Sequence, residues 1–390
     1  MKRILSVIIC ITFAVLLFTA CGENGASPDT AQTGHKLTIL DKASREKVTA
    51  TFQNSDSGDT LEVEMKQSGS VDDKTASYVG YADPALYDRV TVTRDGDSTV
   101  ELAFNDYVTG WDLTSGTFYP CTAPMTEGDP KYERKTFDYE DRQKDVLIWT
   151  PEDYDATSDE KYSVIYMTDG QNLFERGATA TGSWGVAESA LAMAENGGAK
   201  CIIVGVENAP TWRDEELTPD IGEVTEASYE NGKGAAFSDF VVDTVMPYIE
   251  KNYNVYTDPA HTHISGSSSG GIETFYIAME HPDKFGSVGA LSPAFSLYTD
   301  ETWVKYLSEK DFSGNAPFIY LYCGNSPADQ LEQALYIGTK SMPENLSKVN
   351  YPADKIVERY NEKALHNEMY WRAVFPDYLK YAFPKTEKAE

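Results

Sequence analysis

Three consecutive serines between glycines, Gly266-Ser267-Ser268-Ser269-Gly270-Gly271, form the most chemically pointed pattern in this 390-residue chain. Thr262-His263-Ile264-Ser265 before them reads as a short strand, and Ile272 to Met279 after them as a helix. Glycine-x-serine-x-glycine between a strand and a helix marks a tight turn that presents a nucleophilic hydroxyl. Ser268 is the middle serine. Its hydroxyl attacks a carbonyl only when a base takes the proton and donors hold the negative charge that develops on the carbonyl oxygen.

Histidine is the usual base, and the chain has five. His35 lies far away along the chain. His261 and His263 begin the strand that leads to Ser268; at about 3.3 Å per residue His263 is roughly 16 Å away, at the wrong end of the sheet. His281 ends the following helix, roughly 20 Å away at about 1.5 Å per residue. His366 is left, in the segment Lys363-Ala364-Leu365-His366-Asn367-Glu368 between a strand-like run (Ile356 to Tyr360) and the last helix. The acid that orients such a histidine belongs after a late strand, here Phe318 to Cys323. Asp329 is the first choice, Glu332 the second, and Glu368, two residues past the histidine, the third; an arrangement with no carboxylate stays open. The oxyanion needs two backbone N–H groups. Ser269, next after the nucleophile, supplies one. Gln171, in the loop Met167-Thr168-Asp169-Gly170-Gln171-Asn172-Leu173-Phe174 after an early strand, supplies the other.

The elements that must position these residues follow from periodicity. Between 123 and 390, continuous apolar strands (Asp145 to Pro151, Tyr162 to Met167, Cys201 to Val206, Phe285 to Leu291, Phe318 to Cys323) alternate with helical runs (Gly185 to Glu195, Phe237 to Tyr253, Trp371 to Phe383). That pattern predicts an α/β architecture, a mostly parallel sheet covered on both faces, with ligands at the carboxyl ends of the strands. Between 36 and 122 the period is two. Leu61, Val63 and Met65 alternate with charged residues, Val90 and Val92 alternate, as do Val100, Leu102 and Phe104, and Asp95-Gly96 is a hairpin turn signal. This stretch reads as a small all-β sandwich. Tyr78, Tyr81, Trp111 and Tyr119 could form a carbohydrate-stacking surface there, or simply its core.

The N-terminus has its own logic. Met1-Lys2-Arg3 is basic, Ile4 to Leu17 is apolar but short for a membrane span, and Leu17-Phe18-Thr19-Ala20-Cys21-Gly22 resembles a bacterial lipobox. The expectation is a lipoprotein signal peptide over 1–21, a lipid anchor at Cys21 and a flexible tether over 22–35, with an uncleaved anchor helix as the alternative. Either places the protein outside the cytoplasm at a membrane.

Hydrophobic residues make up 41% of the chain, enough for a sizeable core. The net charge of -29, from 33 basic and 62 acidic residues, argues against nucleic acid as a partner. Of five cysteines, two lie in the first 21 residues; Cys201 and Cys323 sit in apolar runs and read as buried, and Cys121 completes a set with no disulfide or zinc spacing. No metal or cofactor motif is visible.

The segments Tyr166 to Phe174, Val206-Glu207-Asn208-Ala209-Pro210-Thr211-Trp212-Arg213, Gly266 to Gly271 with His281-Pro282-Asp283-Lys284-Phe285-Gly286 and Leu291-Ser292-Pro293-Ala294-Phe295, and His366-Asn367-Glu368 with Trp371 together resemble the Putative esterase family of the α/β-hydrolase fold. That family includes esterase D, enterochelin esterases, family-one carbohydrate esterases and mycolyltransferases. The resemblance spans roughly 130–385. It implies Ser268 as nucleophile, His366 as base, and Gln171 with Ser269 as oxyanion donors. The family's acid usually follows the glycine of the late strand closely, and Asn325-Ser326-Pro327 departs from that pattern. The implied activity is hydrolysis of acyl or feruloyl esters on polysaccharide, or of siderophore esters. An acyltransferase using the same residues, and a non-catalytic glycan- or siderophore-binding lipoprotein on the same scaffold, are the alternatives.

Overall fold

In a computed structural model, residues 34–122, 128–209 and 211–385 are described. The expected signal peptide, most of the tether and the Cys21 anchor lie outside them. The N-terminal strands are β1 (His35–Lys42), β2 (Val48–Gln53), β3 (Thr60–Glu64), β4 (Lys66–Ser70), β5 (Thr75–Ala82), β6 (Arg89–Arg94), β7 (Asp97–Ser98), β8 (Leu102–Ala103), β9 (Gly110–Asp112) and β10 (Tyr119–Pro120). They make two sheets, ordered β10-β9-β1-β5-β4 and β3-β2-β6-β7, with β8 also paired to β6. Alternating inward residues, Leu37 and Ile39 from one sheet and Ala50, Phe52, Val90 and Val92 from the other, are fully buried between them. The Asp95-Gly96 turn is as expected: Asp95 (φ 51°) and Gly96 (φ 99°) link β6 to β7, with Arg94 opposite Asp97. Tyr78, Trp111 and Tyr119 are in the interior, so the stacking surface they could have formed is absent; only Tyr81 is partly exposed.

The second half carries eight strands: β11 (Glu133–Tyr139), β12 (Arg142–Trp149), β13 (Ser163–Met167), β14 (Cys201–Val206), β15 (Thr262–Ser267), β16 (Ser287–Leu291), β17 (Phe318–Gly324) and β18 (Ile356–Asn361). Their order is β11-β12-β14-β13-β15-β16-β17-β18. The sheet is parallel from β14 to β18, whereas β11 and β12 run antiparallel to their neighbours. β13 to β16 are buried along their whole length, which is why β13, β14 and β16 are largely apolar without alternation; β15 instead buries Thr262, His263, Ser265 and Ser267.

The helices are α1 (Val186–Glu195), α2 (Arg213–Glu216), α3 (Gly234–Asp239), α4 (Met246–Asn252), α5 (Ser269–Glu280), α6 (Asp300–Ser308), α7 (Gln330–Lys348) and α8 (Glu368–Ala382). α3 runs into α4 through a wide turn at Phe240–Val245. Two apolar clusters cover the two faces of the sheet. One holds Phe275, Trp303 and Met342 from α5, α6 and α7; the other holds Val186, Met193, Phe375 and Leu379 from α1 and α8.

The sandwich packs against α8. The Asn105 amide donates to the Pro376 carbonyl (3.1 Å), and Ala373 lies within the sandwich core. Arg372, fully buried, donates from Nε to the Phe118 carbonyl (2.7 Å) and from Nη1 to the carbonyls of Thr181 (3.3 Å) and Ser183. Its guanidinium lies 4.5 Å from the Tyr119 ring centre. Among the described residues no helix is long and apolar enough to cross a membrane.

Candidate active site

Ser268 stands between the end of β15 and the start of α5, with φ 58° and ψ −128°. An L-residue other than glycine is strained at that angle, and such strain persists only where the surroundings impose it. Here they do. The Ser268 N–H donates to the Leu291 carbonyl (3.1 Å), and the Ser268 carbonyl accepts from Gly271, Ile272 and Ala294 (3.0, 3.1 and 3.1 Å). The flanking glycines are required by close approach. A Cβ on Gly270 would overlap Thr168 Oγ1 and lie 2.7 Å from Asp169 Oδ2; one on Gly266 would lie 2.6 Å from the Gly270 carbonyl oxygen.

From this turn a continuous set of contacts leads to His366 across the carboxyl edge of the sheet. Ser292 follows Leu291 with φ 44°, and its N–H donates to the Tyr322 carbonyl (2.6 Å) on β17. Its hydroxyl donates to Glu332 Oε1 (2.6 Å), which also accepts from the Gly324 N–H (2.5 Å) at the end of β17. The other carboxylate oxygen, Oε2, lies 2.7 Å from His366 Nδ1. Glu332 is fully buried, so its pairing is unscreened by solvent. A carboxylate on Nδ1 holds the proton there and leaves Nε2 as the basic nitrogen. The His366 ring meets Trp371 edge to face at 5.1 Å, and the Trp371 indole N–H donates back to Ser292 Oγ (3.0 Å).

The first choice of acid, Asp329, does not meet the His366 ring. Asp329 caps the N-terminus of α7, accepting from the Glu332 N–H (3.1 Å), and its Oδ2 accepts the backbone N–H of His366 (2.8 Å). It holds the histidine loop by its main chain, while Glu332, one turn into the helix, reaches the ring. Burial pushes the Asp329 carboxyl up, but the backbone N–H groups of His366 and Glu332 outweigh it and hold it below the usual range. Glu368 accepts from Thr179 Oγ1 (3.1 Å) and Thr181 Oγ1 (2.9 Å) and ties down the loop before α1. The remaining histidines have other partners: Asp106 for His35, Asp258 for His261, Ser287 for His263 and Ser238 for His281.

On the other side of Ser268, Gln171 lies in a single 3-10 turn, Gly170–Asn172, entered through Asp169 at φ 55°. Ser269 begins α5, so its N–H has no carbonyl one turn back to bond. Both backbone N–H groups thus lie beyond the carboxyl ends of two neighbouring parallel strands, β13 and β15. The loop is held by an ion pair that sequence reasoning did not single out. Arg213 Nε and Nη2 donate to the two oxygens of buried Asp169 (2.6 and 2.8 Å), and Asn208 Nδ2 donates to the same carboxylate. Burial disfavours the Arg213 charge, but Asp169 outweighs it and the guanidinium is held charged more firmly than usual. Arg213 Nη2 also reaches the Ser267 carbonyl (3.5 Å), and Ser269 Oγ reaches Asp214 (3.4 Å). Both residues were visible in the sequence, in Asp169-Gly170 and Trp212-Arg213, but 44 positions apart. Beneath the turn, Glu273 on α5 is fully buried with neither oxygen bonded among the described residues, and burial pushes its carboxyl well above the ordinary range.

A family model described as "Putative esterase" matches residues 140–382. The chain belongs to this family. The esterase is a carboxylic ester hydrolase, and its resemblance over roughly 130–385 is borne out. It is 20% identical to the uncharacterized protein YbbA of Bacillus subtilis (strain 168) over 61% of this chain and 92% of that one. Among solved structures, the enterobactin esterase FES from Shigella flexneri is similar at 13% identity and a TM-score of 0.52, covering 89% of this chain and 92% of that chain. A share that large takes in sandwich as well as hydrolase, so the likeness in fold extends to the N-terminal half. The ferulic acid esterase AmCE1/Fae1A from Anaeromyces mucronatus is similar at 21% identity and a TM-score of 0.49, over 66% of this chain and 93% of that one.

Proposed function

We propose that the esterase works through Ser268, His366 and Glu332. The observation that carries this is the strained Ser268 backbone at the strand–helix turn, joined through Leu291, Ser292 and Glu332 to the Nδ1 side of His366. Ser268 Oγ attacks the ester carbonyl while His366 Nε2 takes its proton. The backbone N–H groups of Ser269 and Gln171 stabilise the tetrahedral oxyanion. His366 then protonates the leaving alkoxide oxygen, and water, deprotonated by the same nitrogen, releases the acyl group as a carboxylic acid and restores the serine. Glu332 faces the imidazolium and stabilises it; Ser292 Oγ and the Gly324 N–H keep it in place.

The substrates proposed are acyl or feruloyl esters on polysaccharide, or siderophore esters. The lipobox-like segment supports a location outside the cytoplasm with Cys21 as a lipid anchor. The decisive test is hydrolysis of a short-chain aryl ester by wild type and Ser268→Ala. Loss of about 10³-fold or more in kcat is expected; equal rates would remove Ser268 from the mechanism. Absence of ester hydrolysis by the wild type on every substrate tried would favour a binding role.

A further inference from the structure

A second feature at the carboxyl edge of the sheet is not used by the chemistry above. An open groove of about 370 Å³ is lined by Glu140, Asp141, Arg142, Trp212 and Lys233. Its floor is Trp212, which is 45% exposed, a large apolar surface left in water. The Arg142 guanidinium lies 4.7 Å from the centre of that ring and covers part of it. Strand register puts the groove on the same edge as Ser268. β12 is antiparallel to β14 with Val146 opposite Val206, so Arg142, at the beginning of β12, lies beyond the carboxyl end of β14. Trp212 is one peptide unit, about 3.8 Å between Cα atoms, from Arg213. Arg213 reaches the Ser267 carbonyl and Asp214 reaches Ser269 Oγ, so the two residues after Trp212 touch both neighbours of Ser268.

The electrostatics of the lining decide what it suits. Arg142 is paired with Glu140 (3.5 Å), Asp141 (3.3 Å) and Glu216 (3.5 Å), and Lys233 with Glu215 (2.6 Å) and Glu140 (3.6 Å). Both cations are already neutralised, and the chain as a whole carries -29. An anionic ligand such as a catecholate, carboxylate or phosphate would meet carboxylates and no free positive charge. A neutral, hydroxyl-rich ring suits it well. Its C–H face can lie on the indole, while carboxylates accept from its hydroxyls and the guanidinium and ammonium groups donate to them.

We propose that this groove is a subsite for a neutral pyranose chain, which holds the carbohydrate portion of an ester whose acyl carbonyl sits at Ser268. The proposal rests on the Ser268 reading and narrows its substrates to esters carried on sugar. Trp212 is a specificity-determining residue in it, acting on the sugar and not on the ester bond.

The test separates the two. Binding of unesterified xylohexaose, cellohexaose and mannohexaose to Ser268→Ala is measured by calorimetry. Saturable binding of at least one is expected, at least tenfold weaker when Trp212→Ala is added; no saturation with any of the three, or no effect of Trp212→Ala, overturns the subsite. In parallel, kcat/KM is compared for an acylated oligosaccharide of the bound type and a short-chain aryl ester. Trp212→Ala is expected to lower the ratio of the two at least tenfold, mainly through KM, and Trp212→Phe, which keeps a flat ring, to restore it to within about threefold. An unchanged ratio overturns the subsite and leaves Ser268 untouched. Retained hydrolysis in Ser268→Ala would instead overturn the catalytic reading, while the binding arm still reports on the groove.

Discussion

At the scale of single residues, Asp329 and Glu332 have divided what was read as one role. Both carboxylates touch the histidine segment, but one binds its main chain and the other its ring. Removing them should have different consequences. Glu332→Gln leaves the imidazolium without its counter-charge and is expected to lower kcat by about 10² to 10⁴-fold. Asp329→Ala removes a helix cap and is expected to cost about 1 kcal/mol of stability, read as a lower Tm, with a loss of kcat at least tenfold smaller than that of Glu332→Gln. Steady-state kinetics and thermal melts of the two variants check this, and the reverse ranking would return the acid to Asp329.

At the scale of elements, the turn at Ser268 depends on what two neighbouring loops press against it. Gly270 is small because Thr168 and Asp169 occupy the space where a side chain would project. Asp169 cannot give way easily, being clamped by Arg213 and Asn208. Gly270→Ala is therefore expected to displace the Met167–Phe174 loop and with it the proposed donor, the Gln171 N–H. The measured outcome should be a fall of about 10²-fold or more in kcat, as for the loss of one oxyanion donor. If the variant retains full kcat, that loop does not contribute to the oxyanion. The glycine spacing itself was legible in the sequence, since periodicity marked the strand before it and the helix after it. The Arg213–Asp169 clamp was not, because nothing in local spacing couples a loop after β13 to one after β14.

At the scale of the molecule, sandwich and hydrolase share α8. The helix that begins two residues after His366 sends Arg372 to the Phe118 carbonyl and Ala373 into the sandwich core. Calorimetry is expected to show one cooperative unfolding transition for both halves; two resolved transitions would show that this interface does not couple them. His263 belongs to the same region. It packs edge to face on Phe383, whose carbonyl accepts from the Tyr107 hydroxyl of the sandwich. Burial lowers its pKa to about 3, with His261 adding a smaller push in the same direction. The native state thus keeps His263 neutral, while the unfolded chain takes up a proton near pH 6.5. The neutral form's contribution is fully present above about pH 6.5 and is lost as pH falls towards 3. The slope reaches at most about 1.4 kcal/mol per pH unit from this group. Glu273, held protonated by burial, acts with the opposite sign above its unfolded value. The expected readout is accordingly a comparison: His263→Asn should show a shallower loss of stability between pH 6 and 4 than wild type in denaturant titrations. Parallel curves would mean that His263 does not control acid stability.

The sequence alone determined the class of fold and the strand–turn–helix that carries Ser268, and it singled out His366 as the candidate base. These depend on near neighbours in the chain: a buried parallel strand is mostly apolar, a tight turn needs glycines, and strand and helix rise carry His261, His263 and His281 away from Ser268, while His35 is remote along the chain. The two antiparallel strands at the sheet edge, the carboxylate that meets the His366 ring and the groove at Trp212 were decided only by the tertiary structure. The choice between Asp329 and Glu332 shows the physical reason. Three residues apart, both lie within reach of the same loop, and which one meets the ring depends on where α7 starts and how it packs over β17. That packing buries Glu332 against Ser292 and Gly324 and leaves Asp329 at the helix end, bound to the backbone.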